Sequence, residues 1–159
     1  MSIERVRAYF RERNMEDRVQ EFEVSSATVE LAAQALNVKG QRIAKTLSFH
    51  VDDHVVLIVA AGDAKIANPK YKAQFHTKAK MLSHEEAETL IGHAVGGVCP
   101  FAVNEDCDVY LDESQRRFDV VYPACGSANS AIELTIPELE ANCDHFQGWV
   151  DVCKEPEGE

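Results

Sequence analysis

Two adjacent runs set the hydrophobic pattern of the chain. In the stretch AKTLSFHV, residues 44–51, apolar and polar positions alternate, the period of a strand with one covered face. Ile43, Leu47 and Phe49 share that face, and Lys45 falls among them. The next run, HVVLIVAAG at 54–62, is apolar almost throughout, as in a strand covered on both faces. Asp52-Asp53 between them predicts a tight turn.

Around this hairpin the pattern predicts helices and shorter strands. Ser2 suits the cap of a helix over 3–14 with Val6, Tyr9 and Phe10 on one side. Residues 18–24 alternate weakly, as a short strand. Thr28 suits the N-cap of a helix over 29–37 with Leu31, Ala35 and Leu36 inward, and Asn37 and Gly40 suit its end. Asn68-Pro69 opens a short helix. Ser83 with Glu86 forms a capping box for a helix over 84–91, which Gly92 stops. After a loop, GHAVGGVCPFAV, strands are predicted at 108–111, 117–123 and 130–134. Ile136-Pro137-Glu138 starts a last helix, and GWVDV at 148–152 closes the order as a strand. Hairpins mixed with helices predict an α+β domain rather than a regular βαβ series. One domain over 1–154 is expected, with a disordered tail at 155–159.

Composition narrows the function classes. Of 159 residues, 45% are apolar and 27% charged, a globular mixture. No apolar run reaches the ~18 residues of a membrane span. The N-terminal segment has charges throughout and no apolar core, unlike a secretory signal, and Glu4 and Glu12 oppose a transit peptide. The five cysteines form no CxxC pair and the six histidines no HxH or HExxH, so neither a disulfide framework nor a metal site is expected, and no cofactor. Reduced thiols without a signal predict a cytoplasmic protein.

The net charge of −11 is unevenly distributed. Residues 39–80 carry eight basic and three acidic side chains; residues 81–159 carry three basic and seventeen acidic ones. The densest basic stretch, Lys65, Lys70, Lys72, Lys78 and Lys80, contains no acid. It is either a solvated face or a surface for a polyanion on an otherwise acidic protein.

Three places can carry chemistry. Lys45 on an apolar face either sends its head to solvent, pairs with a core acid, or awaits an anionic ligand. The loop GGVCPF, with Gly96, Gly97 and Pro100, can bring backbone N–H groups to a carbonyl or oxyanion, or be a tight turn. In CGSANSAIEL, Gly126 and Ser127 leave room for a ligand at a strand end, or make a loop. Ser127 has no histidine beside it in sequence, which does not support a serine triad. Cys99 with His93 is a further candidate, as the nucleophile of a cysteine hydrolase.

Together, AKTL around Lys45, AAGD ending at Asp63, GGVCPF with Gly96 and Pro100 spaced as GxxxP, VYLD ending at Asp112, and ACGS near Gly126 resemble the YbaK/prolyl-tRNA editing-domain family. The resemblance covers about residues 18–152. It implies a mixed, barrel-like β-sheet flanked by helices, and a free-standing aminoacyl-tRNA deacylase that hydrolyses the ester of a misacylated tRNA, often tRNA for proline. It implies Lys45 as signature active-site residue, Gly96, Gly97 and Pro100 as the loop that shapes the pocket and supplies N–H groups, and Thr46, Gly126 and Ser127 at the substrate. It implies a water attack without metal, assisted by the 2′-hydroxyl of the terminal adenosine. Lys65, Lys70 and Lys72 are then expected at the tRNA; a synthetase is a second candidate partner, and DNA and membrane are not expected. Thr46 stands where the alanine-specific branch commonly has asparagine, and GSANSAIE lacks the aspartate of the cysteinyl-tRNA branch, so the resemblance does not fix the amino acid; a small pocket excludes prolyl groups but separates small apolar side chains poorly, which predicts a small amino acid other than proline. A tRNA- or nucleotide-binding module without catalysis is the alternative on the same fold.

Overall fold

A computed structural model describes residues 2–94 and 96–154. The element order is α1 (Ser2–Arg11), β1 (Val19–Glu21), α2 (Val29–Leu36), β2 (Ile43–Val51), β3 (His54–Ala61), β4 (Lys65–Ile66), α3 (Asn68–Phe75) and α4 (His84–Glu86), which runs into a π-turn at Ala87–Ile91. Then follow β5 (Cys107–Asp112), β6 (Val120–Pro123), β7 (Ser130–Ile132), β8 (Leu134–Thr135), α5 (Ile136–Asn142), β9 (Phe146–Val150) and β10 (Cys153–Lys154). Six strands form one curled, mixed sheet in the order β8-β6-β2-β3-β5-β9, and two small pairs, β1-β7 and β4-β10, lie outside it. This is the expected α+β, barrel-like architecture with flanking helices.

β3 sits at the centre because every residue from Val55 to Ala61 can be buried. Its odd positions, Val55, Leu57 and Val59, pack in one layer with Phe10, Ile91, Phe101, Val109 and Leu111. Its even positions, Val56, Ile58 and Ala60, pack in a second layer with Phe49 and Tyr71. Each such aliphatic side chain contributes about 1.5–3 kcal/mol on burial. The β2–β3 hairpin pairs Val51 with His54 across Asp52-Asp53, and Asp52 takes the left-handed conformation that the tight turn requires.

Caps explain the helix ends near the site. Thr28 Oγ1 accepts the Leu31 N–H at 3.1 Å, and Asn37 closes α2 at φ 57°. Ser83 and Glu86 form the expected reciprocal capping box.

Several boundaries differ from the pattern. α1 stops at Arg11, and Asn14 turns the chain at φ 59°. The inward residue of α2 is Ala32, 7% exposed, whereas Leu31 is 38% exposed: one residue is a 100° rotation on a helix. The strand predicted over 117–123 begins only at Val120, because Arg117 belongs to a 3₁₀ turn over Glu113–Arg117 that Asp112 caps, its Oδ2 accepting the Ser114 N–H. The predicted strand 130–134 divides, β7 pairing with β1 and β8 with β6. The closing strand runs over 146–150 instead of 148–152. The Ser2 side chain and the predicted tail at 155–159 lie outside the described residues.

Candidate active site

The site lies where the sheet is incompletely paired. β2 pairs with β6 only at Ile43 and Ala44. Its edge is next met at Ser48, whose C=O accepts the Leu82 N–H at 3.2 Å, and at His50, whose N–H donates to the Lys80 C=O at 2.8 Å. The intervening residues, Lys45 to Leu47, line a cavity of about 420 Å³. Its other walls come from the segment Ser26–Val29 that leads into α2, from Met81–His84, from Gly96 and Val98, and from Ala124, Ser130 and Ala131.

Lys45 sits half-buried in this wall. Its Nζ donates to the C=O of Gly62 at 3.3 Å and to the C=O of Ala64. An ammonium has three donors, so two are held by backbone and the third has no partner among the described residues. The turn that presents the carbonyls is braced: Ala64 N–H donates to Ala61 C=O, Ala61 N–H to Ser114 Oγ, and Arg117 forms a two-point ion pair with Asp63 at 2.5 and 3.2 Å. Burial lowers the Lys45 pKa, and the nearby Asp63 carboxylate opposes that shift. Of the explanations for a lysine on an apolar face, this is a cation held by carbonyl dipoles at a cavity, not a lysine paired with a core acid.

Thr46, the next residue, also lines the cavity, and its Oγ1 is buried without a hydrogen-bond partner. Gly96 lines it too, at φ +91°, a conformation that side chains rarely adopt. Gly97 is one step behind the wall. Its N–H donates to the Ala94 C=O at 2.9 Å, so it is not the oxyanion donor expected of it. Its role is contact: a Cβ there would lie 2.5 Å from Gly126 C and from Ser127 N. Pro100 is buried away from the cavity, with its C=O accepting the Asp144 N–H at 2.8 Å.

Gly126 and Ser127 are likewise behind the lining rather than in it. Gly126 backs Gly97, and the Ser127 hydroxyl is engaged with Asn129 Oδ1 at 2.9 Å and Ser130 Oγ at 2.7 Å. Ala124, Ser130 and Ala131 from the same segment line the cavity in their place. Cys99 does not reach the cavity either. It is fully buried, 3.6 Å from His93 Nε2, and burial pushes its thiol up to about 12. Burial also lowers the His93 pKa, and its Nε2 is already bonded to the Phe101 C=O at 2.8 Å. That geometry removes the thiolate on which a cysteine hydrolase depends.

Of the three predicted tRNA lysines, Lys70 is engaged, at 3.0 Å from Asp151 Oδ1 and 3.0 Å from the Cys153 C=O. Lys65 and Lys72 are exposed and make no ion pair with the described residues. Sequence reasoning missed Ser26, Met81 and Val98 as lining residues. Ser26 had a local signal, since it lies two residues before the helix cap; Met81 and Val98 had none, because only the folded sheet brings their loops to β2. Among the described residues no group of three or more His, Cys, Asp or Glu is placed to hold a metal ion, and no helix is long and apolar enough to cross a membrane.

Comparison with known proteins agrees with this geometry. The family profile of the aminoacyl-tRNA editing domain matches residues 23–141. An uncharacterized protein of Bacillus subtilis, YwhH, is 54% identical over 156 residues, covering 98% of this chain and 99% of that protein. A proline–tRNA ligase of Bacillus cereus is 26% identical over 102 residues, which are 64% of this chain but 18% of the ligase. A solved structure of a candidate trans-editing enzyme for prolyl tRNA synthetase superposes with a TM-score of 0.85 at 27% identity, covering 96% of this chain and 97% of that one. The chain belongs to the aminoacyl-tRNA editing domain family.

Proposed function

We propose that this protein hydrolyses the ester bond of a misacylated aminoacyl-tRNA, releasing tRNA and a free amino acid that is small and not proline. The tRNA for proline is the proposed carrier, and the reaction is proposed to act in trans, in the cytoplasm. The observation that carries the reading is the Lys45 ammonium, fixed at the cavity by two carbonyls with its third donor unpartnered among the described residues. The matched segment within proline–tRNA ligases favours the proline system.

An aminoacyl ester is already activated, so positioning and charge stabilisation suffice without a protein nucleophile. Water adds to the ester carbonyl. The new oxyanion takes the remaining Lys45 proton as a hydrogen bond, with the backbone of Gly96 and Val98 at the cavity wall as additional polar contacts. Collapse breaks the acyl–oxygen bond, and the ribose oxygen leaves with a proton. The tRNA's own vicinal hydroxyl is the proposed proton carrier. Thr46 and the small residues of the wall hold the acyl side chain. Lys65 and Lys72 bind phosphate, and Lys70, tied to Asp151, adds less. A synthetase that delivers the substrate is a proposed second partner.

A deacylation assay over tRNAs carrying different amino acids tests this reading against a silent binding module. Release of a small amino acid at catalytic protein concentrations supports it; tight tRNA binding with background hydrolysis for every ester contradicts it. In the same assay Cys99→Ser is expected to keep the rate within about threefold, because a buried neutral thiol takes no part in the chemistry. A trapped thioester would reverse that conclusion. Changing Lys65 and Lys72 together to Ala is expected to lower the slope of log binding constant against log salt by roughly 1.4–1.8, as two phosphate contacts are lost. An unchanged slope would put the tRNA on another face.

A further inference from the structure

The carbonyls that hold the Lys45 ammonium belong to Gly62 and Ala64, in the turn between β3 and β4. Asp63 stands between them in the chain. Its carboxylate meets the Arg117 guanidinium at 2.5 and 3.2 Å. That guanidinium is itself fixed: its Nε donates to the Ser114 C=O at 2.9 Å, and it lies 4.8 Å from the centre of the Phe118 ring. At the entry of the turn, the Ala61 N–H donates to Ser114 Oγ at 3.1 Å. Ser114 and Arg117 share the 3₁₀ turn that Asp112 caps. Asp112 is 1% exposed, and its Oδ1 accepts the Val152 N–H at 2.9 Å. The Val152 C=O in turn accepts the Ala67 N–H at 2.8 Å, beyond the exit of the Gly62–Ala64 turn.

Asp63, Ser114 and Arg117 all lie outside the lining of the cavity. An ion pair with part of each side chain in solvent adds little to stability, and the Asp63–Arg117 pair is of that kind. Its two-point geometry does something else: it fixes the peptide units on either side of Asp63. Carbonyl dipoles hold an ammonium only along particular directions, and a small misplacement of a catalytic group is costly to the rate.

We propose that Asp63 is a positioning residue for the hydrolysis: gripped by Arg117, it sets the Gly62 and Ala64 carbonyls so that the Lys45 ammonium is held with its third N–H toward the substrate. The effect on rate rests on the deacylase reading, whereas the hold on Lys45 is open to direct measurement. Charged groups around Lys45 include Asp63 and Glu30 of α2, which favour the ammonium, and Lys65 of β4, which opposes it; burial pushes the Cys153 thiol of β10 up to about 12.

The test titrates Lys45 by NMR of protein carrying lysine labelled at Cε, with Lys45→Met assigning the resonance, and measures kcat and KM on misacylated tRNA. Asp63→Asn keeps the shape of the side chain and removes its charge. It is expected to titrate Lys45 at lower pH than in the native chain, and to lower kcat about tenfold with KM within about twofold. Arg117→Gln releases the same grip but leaves the carboxylate. It is expected to lower kcat by a similar factor without moving the Lys45 titration to lower pH. Both proteins are expected to melt within a few degrees of native. A side chain that only supported the fold would lower the melting temperature and leave the Lys45 titration in place. An unmoved Lys45 titration in Asp63→Asn, or native kcat in either variant, overturns the assignment while the deacylase reading stands. A native chain that hydrolyses no ester sinks the deacylase reading, and the titration alone then decides whether Asp63 governs the Lys45 ammonium.

Discussion

The Lys45→Met protein is expected to fold as the native chain does and to hydrolyse misacylated tRNA about 10²–10³-fold more slowly, the usual effect of losing one oxyanion donor. Methionine keeps the apolar stem in the β2 face and removes the charge. Burial lowers the pKa of Lys45, so the folded state disfavours its charged form. Stability therefore rises as pH climbs from the folded toward the unfolded pKa, so removing the charge at neutral pH relieves a desolvation penalty, which offsets the loss of the Gly62 and Ala64 carbonyls' donor. Thermal melting is expected within a few degrees of native. The rate has the opposite pH sign: the contribution of the ammonium is complete below the lowered pKa and is lost as pH rises through it. The ratio of native to Lys45→Met rates should thus decline on the alkaline side, earlier than an ordinary lysine would allow. A folded Lys45→Met protein with near-native turnover would remove Lys45 from the chemistry.

Gly97→Ala is expected to damage both fold and activity, although Gly97 never touches the cavity. Its added Cβ would lie 2.5 Å from two backbone atoms of the Gly126–Ser127 turn, which no rotamer change relieves. Overpacking of this kind costs typically about 1–3 kcal/mol. The turn and the loop must part, and their neighbours Gly96, Val98, Ala124 and Ser130 line the cavity. A rate loss of about tenfold or more is expected together with a lower denaturation midpoint, whereas Lys45→Met lowers the rate alone. If Gly97→Ala retained native stability, the contact between the two turns would not be the reason for glycine at this position.

These two residues show how much of the molecule the sequence carries. Lys45 stands out from one strand's alternation, because a charge on an apolar face violates a local rule. The β2–β3 hairpin, the Thr28 cap and the Ser83–Glu86 box follow from local rules in the same way. Gly97 is different. Its glycine was legible, but its purpose depends on a turn some thirty residues away, and its N–H is taken by Ala94. Gly126 and Ser127 similarly support the wall from behind, a distinction that depends on how the strand after β6 folds over. The pairs β4–β10 and β1–β7 are two and three residues long, too short for a periodic signal, and arise from tertiary contact. Leu31 fails as a core residue because the α2 face turns on Ala32, which packs with Ile43 and Tyr122.

The most direct test of the central claim is a single-turnover time course on tRNA for proline charged with a labelled small amino acid, alanine or serine, with native and Lys45→Met proteins in parallel. The account predicts that the native protein releases free amino acid far above the uncatalysed rate, that intact prolyl-tRNA is spared, and that the Lys45→Met protein binds the tRNA but leaves the ester near background. Native release indistinguishable from background for both esters, or equal release by the native and Lys45→Met proteins, would contradict it.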